Sequence, residues 1–289
     1  MVFAQDVELH PNPEVPVWNL IFNGIEKTQS MSLTPQLQQV YAIRIDTTIN
    51  GISFFSTPRA EENYEPEKRE TVRQQADTFL QTYELQVAVN ANFFTIPKGE
   101  TYSTSGIANL VGLAVSEGKV VSPPAQKFQI PLFCIFKDGQ IKITEELPET
   151  NLSNISTAVA GGPILCRNGK ILIPSISNSN GPIPVKDPNG FIHPRTAIGI
   201  SQDKRYVLLL VIDGRCPNYS VGATLEETGA WLRFFGAWDG LNLDGGGSTT
   251  LVVQGEAGKP IVLNRPSDKI LRYNGNHLGI RALPLSQQP

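Results

Sequence analysis

The run Asn242-Leu243-Asp244-Gly245-Gly246-Gly247-Ser248-Thr249-Thr250 sets three glycines behind a carboxylate, between two apolar strands. Residues without a Cβ let backbone N–H groups come close to a ligand, and successive amides of such a loop can cradle an anion. Ser248 and Thr249 add hydroxyl donors, and Asp244 places a carboxylate at a strand end. The run has neither the lysine of a P-loop nor the spacing of GxGxxG. A tight strand connection, with Asp244 bonded into its own turn, accounts for the same residues without a ligand. A second carboxylate, Asp213 in Val211-Ile212-Asp213-Gly214-Arg215, ends another apolar strand, where open α/β sheets hold their ligands. An Asp-Gly turn is the alternative. If the strands ending at Asp213 and Asp244 are neighbours, their carboxylates converge, as acid–base cleavage of a glycosidic bond requires.

Gly222-Ala223-Thr224-Leu225-Glu226-Glu227 opens a helix. Thr224 followed three residues on by Glu227 is a capping box, worth about 1 kcal/mol with no active site involved. The same first turn offers N–H groups and the positive end of a helix dipole to an anion. His193-Pro194-Arg195-Thr196 places Arg195, whose planar fork suits a phosphate, just before a strand over Ala197 to Ile200; a surface ion pair is the plainer use. Asn90-Ala91-Asn92-Phe93-Phe94 ends a further strand with two amides and two aromatics, fit to hold a sugar or to close a core edge.

Other chemistries fit less well. Asn218-Tyr219-Ser220-Val221-Gly222 has Asn where GxSxG needs Gly and stands several residues beyond the strand end at Asp213, so a serine esterase is the lesser alternative. His10, His193 and His277 are scattered, without HExxH. The sequence requires no cofactor: a divalent cation would need ligand spacing such as an EF-hand's, and none is present. Cys134, Cys166 and Cys216 form no CxxC and allow at most one internal disulfide. Lys+Arg 24 against Asp+Glu 27 gives a net charge of −3, and no basic cluster is available to neutralise a nucleic acid backbone. No apolar run reaches the 18 or so residues of a spanning helix. Met1-Val2-Phe3-Ala4-Gln5 reads as the small-residue tail of a signal cleavage region, which implies export to the periplasm or cell surface; chance, and a cytoplasmic protein, are the alternative.

The elements that must position these groups follow from periodicity. Val40, Ala42, Ile43 and Ile45 mark a strand over Gln38 to Thr47, and Ile52 to Thr57 reads as a second. After a polar stretch, Glu61 to Glu67, Pro66 serves as a first helical residue, with Val72, Ala76, Phe79, Leu80 and Tyr83 on one helical face. Strands follow over Leu85 to Asn90, Leu110 to Val115, Phe128 to Phe136 and Ile141 to Thr144, with turns at Glu117-Gly118 and Asp138-Gly139. Pro174 to Asn189, rich in Ser, Asn and Pro, reads as a long surface loop. Arg205 to Asp213 is a continuous apolar strand, Thr224 to Phe235 a helix, and Leu241 to Asp244 and Thr249 to Val253 are strands, which together imply a parallel β-α-β unit. The expectation is a single α/β to α+β domain on a mixed, strand-rich sheet with a few helices. Its bounds are 38–285, behind an N-terminal extension over 1–37 that holds a first strand.

Asn90 to Phe94, Gly161-Gly162-Pro163, Arg195-Thr196-Ala197-Ile198-Gly199, Asp213-Gly214-Arg215, Gly222 to Glu227 and Asn242 to Thr250 occur in one order. In this the chain resembles the phosphodiester glycosidase family, from about Val40 to Leu283, with the Asn242 to Thr249 stretch the most specific part. The segment Asn264 to Asp268, with Arg272 and Asn276-His277, resembles the ending of bacterial members. The resemblance implies hydrolysis of a sugar-1-phosphodiester, such as a GlcNAc-1-phosphodiester, to free sugar and a phosphomonoester, the substrate being a small molecule or a polymer. It implies that Asp244 and Glu227 act on the sugar side, that Asp213 orients or assists, and that Arg195 binds phosphate with Gly245, Gly246, Gly247 and Ser248. The sugar would meet Asn90, Asn92, Phe93 and Phe94, with Gly161, Gly162, Asn242, Arg272 and His277 completing the site. Asn92 stands where the family more often has Gly, which alters the room beside the sugar. A non-catalytic binding domain for phosphorylated glycans of the cell envelope is the alternative from another class.

Overall fold

The computed structural model describes residues 2–3, 15–32, 36–60, 70–125, 129–146, 152–173, 192–268 and 270–285. The elements that carry the site are strands β1 (Gln38–Asp46), β2 (Val87–Asn90), β3 (Arg195–Ile200), β4 (Tyr206–Ile212), β5 (Asp239–Asn242), β6 (Leu251–Gln254) and β7 (His277–Arg281). Two helices accompany them, α1 (Ala76–Thr82) and α2 (Leu225–Phe234).

The layering follows from alternation along the strands. In β4, Val207, Leu209 and Val211 point to one core, whereas Leu208, Leu210 and Ile212 point to another. Both faces of this strand are covered, so its sequence is apolar without a break. β1 divides in the same way, Tyr41, Ile43 and Ile45 to the first core and Val40 and Ala42 to the second. The second core is closed by α2 through Ala230, Trp231 and Leu232. The first is shared with another sheet through Val87, Val89, Leu251, Val253, Leu278 and Ile280. The outer face of that other sheet, at Ala88 and Val252, is covered by Ala76, Phe79 and Leu80 of α1. Helix, sheet, sheet and helix therefore stack in four layers, with the main apolar core between the sheets.

The larger sheet has nine strands, in the order Val2–Phe3, Lys170–Ile173, Ile164–Arg167, β5, β3, β4, β1, Ile25–Ser32, Asn19–Phe22. The facing sheet has five, in the order Pro260–Val262, β6, β2, β7, Ser53–Ser56. A further five-stranded sheet contributes Phe133, Ile141, Ile143 and Val159 to the central core, and a three-stranded sheet completes the architecture. The strand-rich fold with few helices is as the sequence implies, and no described helix is long and apolar enough to cross a membrane.

Three expectations are corrected. Strands β4 and β5 do run in the same direction on either side of α2, but β3 lies between them and pairs antiparallel with both, so the β-α-β unit has no adjacent parallel strands. Val72 belongs to a strand, Thr71–Arg73, and the amphipathic helix begins only at Ala76. The stretch over Leu110 to Val115 is broken at Gly112 (φ 83°) into strands Gly106–Leu110 and Ala114–Ser116. By contrast the turn at Glu117 and Gly118 (φ 49° and 78°) closes the expected hairpin, with Ser116 opposite Lys119. The stretches over Glu61 to Glu67 and Pro174 to Asn189 lie outside the described residues.

Candidate active site

Antiparallel pairing brings the start of β3 and the ends of β4 and β5 to one edge, with Arg195 opposite Ile212 and Ala197 opposite Asn242. The facing sheet ends at the same place through Asn90 of β2 and the start of β6. Asn90 ties the two sheets together. Its Nδ2 donates to the Asp244 carbonyl at 2.5 Å, and its Oδ1 accepts from Thr196 Oγ1 at 2.8 Å and from the Thr250 amide at 3.1 Å. The Asp244 amide donates to the Ala91 carbonyl at 2.9 Å. The loop that begins at Asp244 is thus fixed to both sheets through backbone, leaving its carboxyl group unspent by the framework.

That carboxyl group is held by the Ser248 hydroxyl and the Gly245 amide, with the Arg272 charge nearby; burial outweighs all three and pushes its pKa up to about 6. The three glycines that follow are needed for close packing. A Cβ on Gly246 (φ 62°) would stand 2.9 Å from Arg215 Nη2, and one on Gly247 would overlap Arg272 Nη2. Two guanidinium groups therefore lie against adjacent residues of the loop. Arg272 is paired with Asp268 (Nη2 to Oδ2 2.9 Å, Nε to Oδ2 3.0 Å) and reaches Ser248 Oγ from Nη1 at 3.5 Å. Its guanidinium also lies over the Tyr102 ring at 4.4 Å, and Tyr102 meets Phe94 edge to face at 5.6 Å.

Several predicted ligands are instead part of the frame. Asp213 is separated from Asp244 by β3; its buried carboxylate accepts from Asn264 Nδ2 at 2.8 Å, from the Arg265 amide at 2.9 and 3.0 Å and from Tyr219 OH at 3.2 Å. Desolvation raises its pKa despite these donors. Glu227 performs the capping box: its Oε2 accepts from the Thr224 amide at 2.8 Å, and also from Gln36 and Gln38 at 2.9 Å each. Arg195 points to the α2 side of the sheet, opposite to Thr196, and donates from Nε to the Ala223 carbonyl at 2.8 Å. Asn92 is buried, donating to the carbonyls of Val111 and Leu113 at 3.3 Å and accepting from the Ala160 amide at 3.0 Å. Gly161 and Gly162 lie under β5, where the Gly162 amide donates to the Asn242 carbonyl at 2.7 Å and Asn242 Nδ2 returns to the Gly162 carbonyl at 2.8 Å. His277 is wholly buried and stacked on Phe79 at 4.8 Å, and burial pulls its pKa down to about 3, so it is neutral. Phe93 and Phe94 are half-buried.

Of the predicted residues, then, Asp244, Gly245, Gly246, Gly247, Ser248, Arg272 and Phe94 come together. The sequence did not single out Arg215, Tyr102 or Asp268 as ligands. Arg215 carried one signal, its place immediately behind a strand-ending Asp-Gly; Tyr102 carried none. No group of three or more His, Cys, Asp or Glu that would hold a metal is present among the described residues.

Glu227 separates the two uses of a carboxylate at this edge. A capping box accepts Gln as readily as Glu at this position, so Glu227→Gln is expected to retain turnover within a few-fold, while Glu227→Ala lowers stability by about 1–2 kcal/mol. Thermal melts beside steady-state kinetics check both; loss of turnover in a stable Glu227→Gln protein would return the residue to the chemistry.

Two facing antiparallel sheets, with a carboxylate and glycine loop at their common edge, define the class of this protein. The profile of the phosphodiester glycosidase family matches residues 83–281, and the chain belongs to that family. Solved structures share the fold. The catalytic domain of zebrafish N-acetylglucosamine-1-phosphodiester α-N-acetylglucosaminidase, auto-inhibited by its pro-peptide, is 21% identical with a TM-score of 0.64, the match covering 96% of this chain and 86% of that one. A Burkholderia pseudomallei K96243 protein whose name proposes export is 17% identical with a TM-score of 0.61, covering 89% and 76%. A hypothetical protein from Synechocystis is 15% identical with a TM-score of 0.61; the match covers 90% of this chain and spans 62% of the Synechocystis chain. None of the curated proteins matches the sequence.

Proposed function

We propose that this protein hydrolyses the glycosidic bond of a sugar-1-phosphodiester, releasing the free sugar and a phosphomonoester. The observation that carries the reading is the Asp244 carboxyl group, held at the start of a glycine loop against which two guanidinium groups pack. Family membership supports the reaction class. A phosphodiester is a fair leaving group, so the C1–O bond can break with little help from an acid, and the main work is stabilising positive charge at C1 and negative charge on the departing phosphate. Asp244, ionised at neutral pH, supports the first and takes the proton of the water that adds to C1. Arg215 and the loop receive the second. Asp213 acts as a positioning residue, holding the segment at Asn264 and Arg265 beside the end of β4. Export is part of the proposal, supported by the name of the Burkholderia relative.

Mass-spectrometric turnover with a panel of sugar-1-phosphodiesters, UDP-GlcNAc among them, tests the reading. Free sugar released by the wild-type protein is the expected result. Binding without product over long incubation would instead establish a binding domain for phosphorylated glycans. Because the working form of Asp244 is the carboxylate, kcat/KM is expected to fall as pH drops through about 6 and to be level above it. A pH–rate profile that is flat down to about pH 4 would remove Asp244 as the titrating group.

A further inference from the structure

The two guanidinium groups against the glycine loop differ in their surroundings, and the difference gives the site a direction. Arg215, beside Gly246, is exposed, and its guanidinium has no acceptor among the described residues. Its backbone sits in the left-handed region (φ 59°), strained for a residue with a Cβ, and is held there by a hydrogen bond from its amide to the Val221 carbonyl at 3.1 Å. A strained backbone thus carries to the loop a positive charge that no described residue pairs.

Arg272, beside Gly247, has its charge answered by Asp268 at 2.9 Å and its face covered by the Tyr102 ring at 4.4 Å. Tyr102 is 39% exposed although its backbone is pinned on both sides. The Tyr273 amide donates to its carbonyl at 2.9 Å, and the wholly buried Arg73 holds the preceding residues, donating to the Thr101 carbonyl at 2.6 Å and pairing with Glu100. A fixed loop presenting an aromatic ring to solvent beside a neutralised ion pair is a poor place for an anion. It suits a neutral polyol, whose C–H face stacks on the ring face that Arg272 leaves open.

We infer that the substrate lies across Gly246 and Gly247 in one direction, with its phosphate on Arg215 and its sugar ring on Tyr102, so that Tyr102 is a specificity-determining residue for the sugar. This rests on the glycosidase reading for the identity of the two halves, and the test separates the two claims.

Inorganic phosphate and a panel of free hexoses and N-acetylhexosamines are titrated separately into wild type, Tyr102→Ala and Arg215→Ala by calorimetry or NMR. The expected result is a sugar Kd about tenfold weaker in Tyr102→Ala with phosphate affinity within twofold of wild type, and the converse in Arg215→Ala. Tyr102→Phe, which keeps the ring, retains sugar binding. Equal weakening of both probes by both variants, the reverse pattern, or no sugar bound by a folded wild-type protein would each overturn the orientation. Absence of turnover on every sugar-1-phosphodiester, with the expected binding pattern intact, would overturn the glycosidase reading alone.

Discussion

Asp244→Asn is expected to lose at least about a thousandfold in kcat while its thermal midpoint stays at or slightly above that of the wild-type protein. The amide keeps the shape of the carboxyl group and can still bond to Ser248, so the loop has no reason to move. What disappears is the negative charge that faces C1 and accepts the proton of water. The sign of the stability change follows from the pKa. Asp244 titrates at about 6, above the 3.8 of an unperturbed Asp, so its protonated form is favoured by the fold. Any stability gained from this shift is present below the unfolded pKa and lost as pH rises through about 6. A permanently neutral amide is spared that loss at neutral pH, and a gain of stability with loss of activity marks a group kept for function. Turnover in Asp244→Asn within tenfold of wild type would place the chemistry elsewhere.

What was legible in the sequence was what depends on local pattern. β4 is readable because it is covered on both faces, and α2 because Thr224 and Glu227 write its first turn. The glycine loop is readable because three consecutive glycines between apolar strands have few other uses. Pairing order was not legible. β3 inserts between β4 and β5 although it precedes both in the chain, so consecutive strands at Asp213 and Asp244 are not neighbours. Nor does residue type reveal direction. Asn90, Asn92 and Asn242 are amides suited to a sugar, but each is buried and each donates from Nδ2 to a backbone carbonyl of the frame. Tyr102 reaches the site only through Arg272, 170 positions along the chain, and no spacing rule spans that distance. The buried amides serve the site by fixing the loop that carries its carboxylate.

Asn90→Ala is therefore expected to have the largest effect on stability of any single change at this edge. The substitution removes all three hydrogen bonds at once, strands the Thr250 amide and the Asp244 carbonyl, and leaves the Thr196 hydroxyl only the longer bond to Thr249 Oγ1 at 3.4 Å. Thr196 and Thr250 are buried and Asp244 half-buried. Each stranded buried group costs about 1–3 kcal/mol, so a loss of roughly 3–5 kcal/mol follows, some 6–12 °C in thermal midpoint for a chain of this size. Asn90→Asp would not repair it, because a carboxylate can accept from Thr196 and Thr250 but faces the Asp244 carbonyl with no donor and adds a buried charge. Calorimetry on both variants, with kinetics on whatever remains folded, distinguishes the amide as a tie between the sheets from the amide as a sugar ligand. A tie lowers the midpoint in Asn90→Ala and takes activity with it as Asp244 loses its anchor. A ligand would leave the midpoint within about 2 °C and raise KM alone, and that result would show that the central apolar core, without the polar tie, holds the two sheets in register.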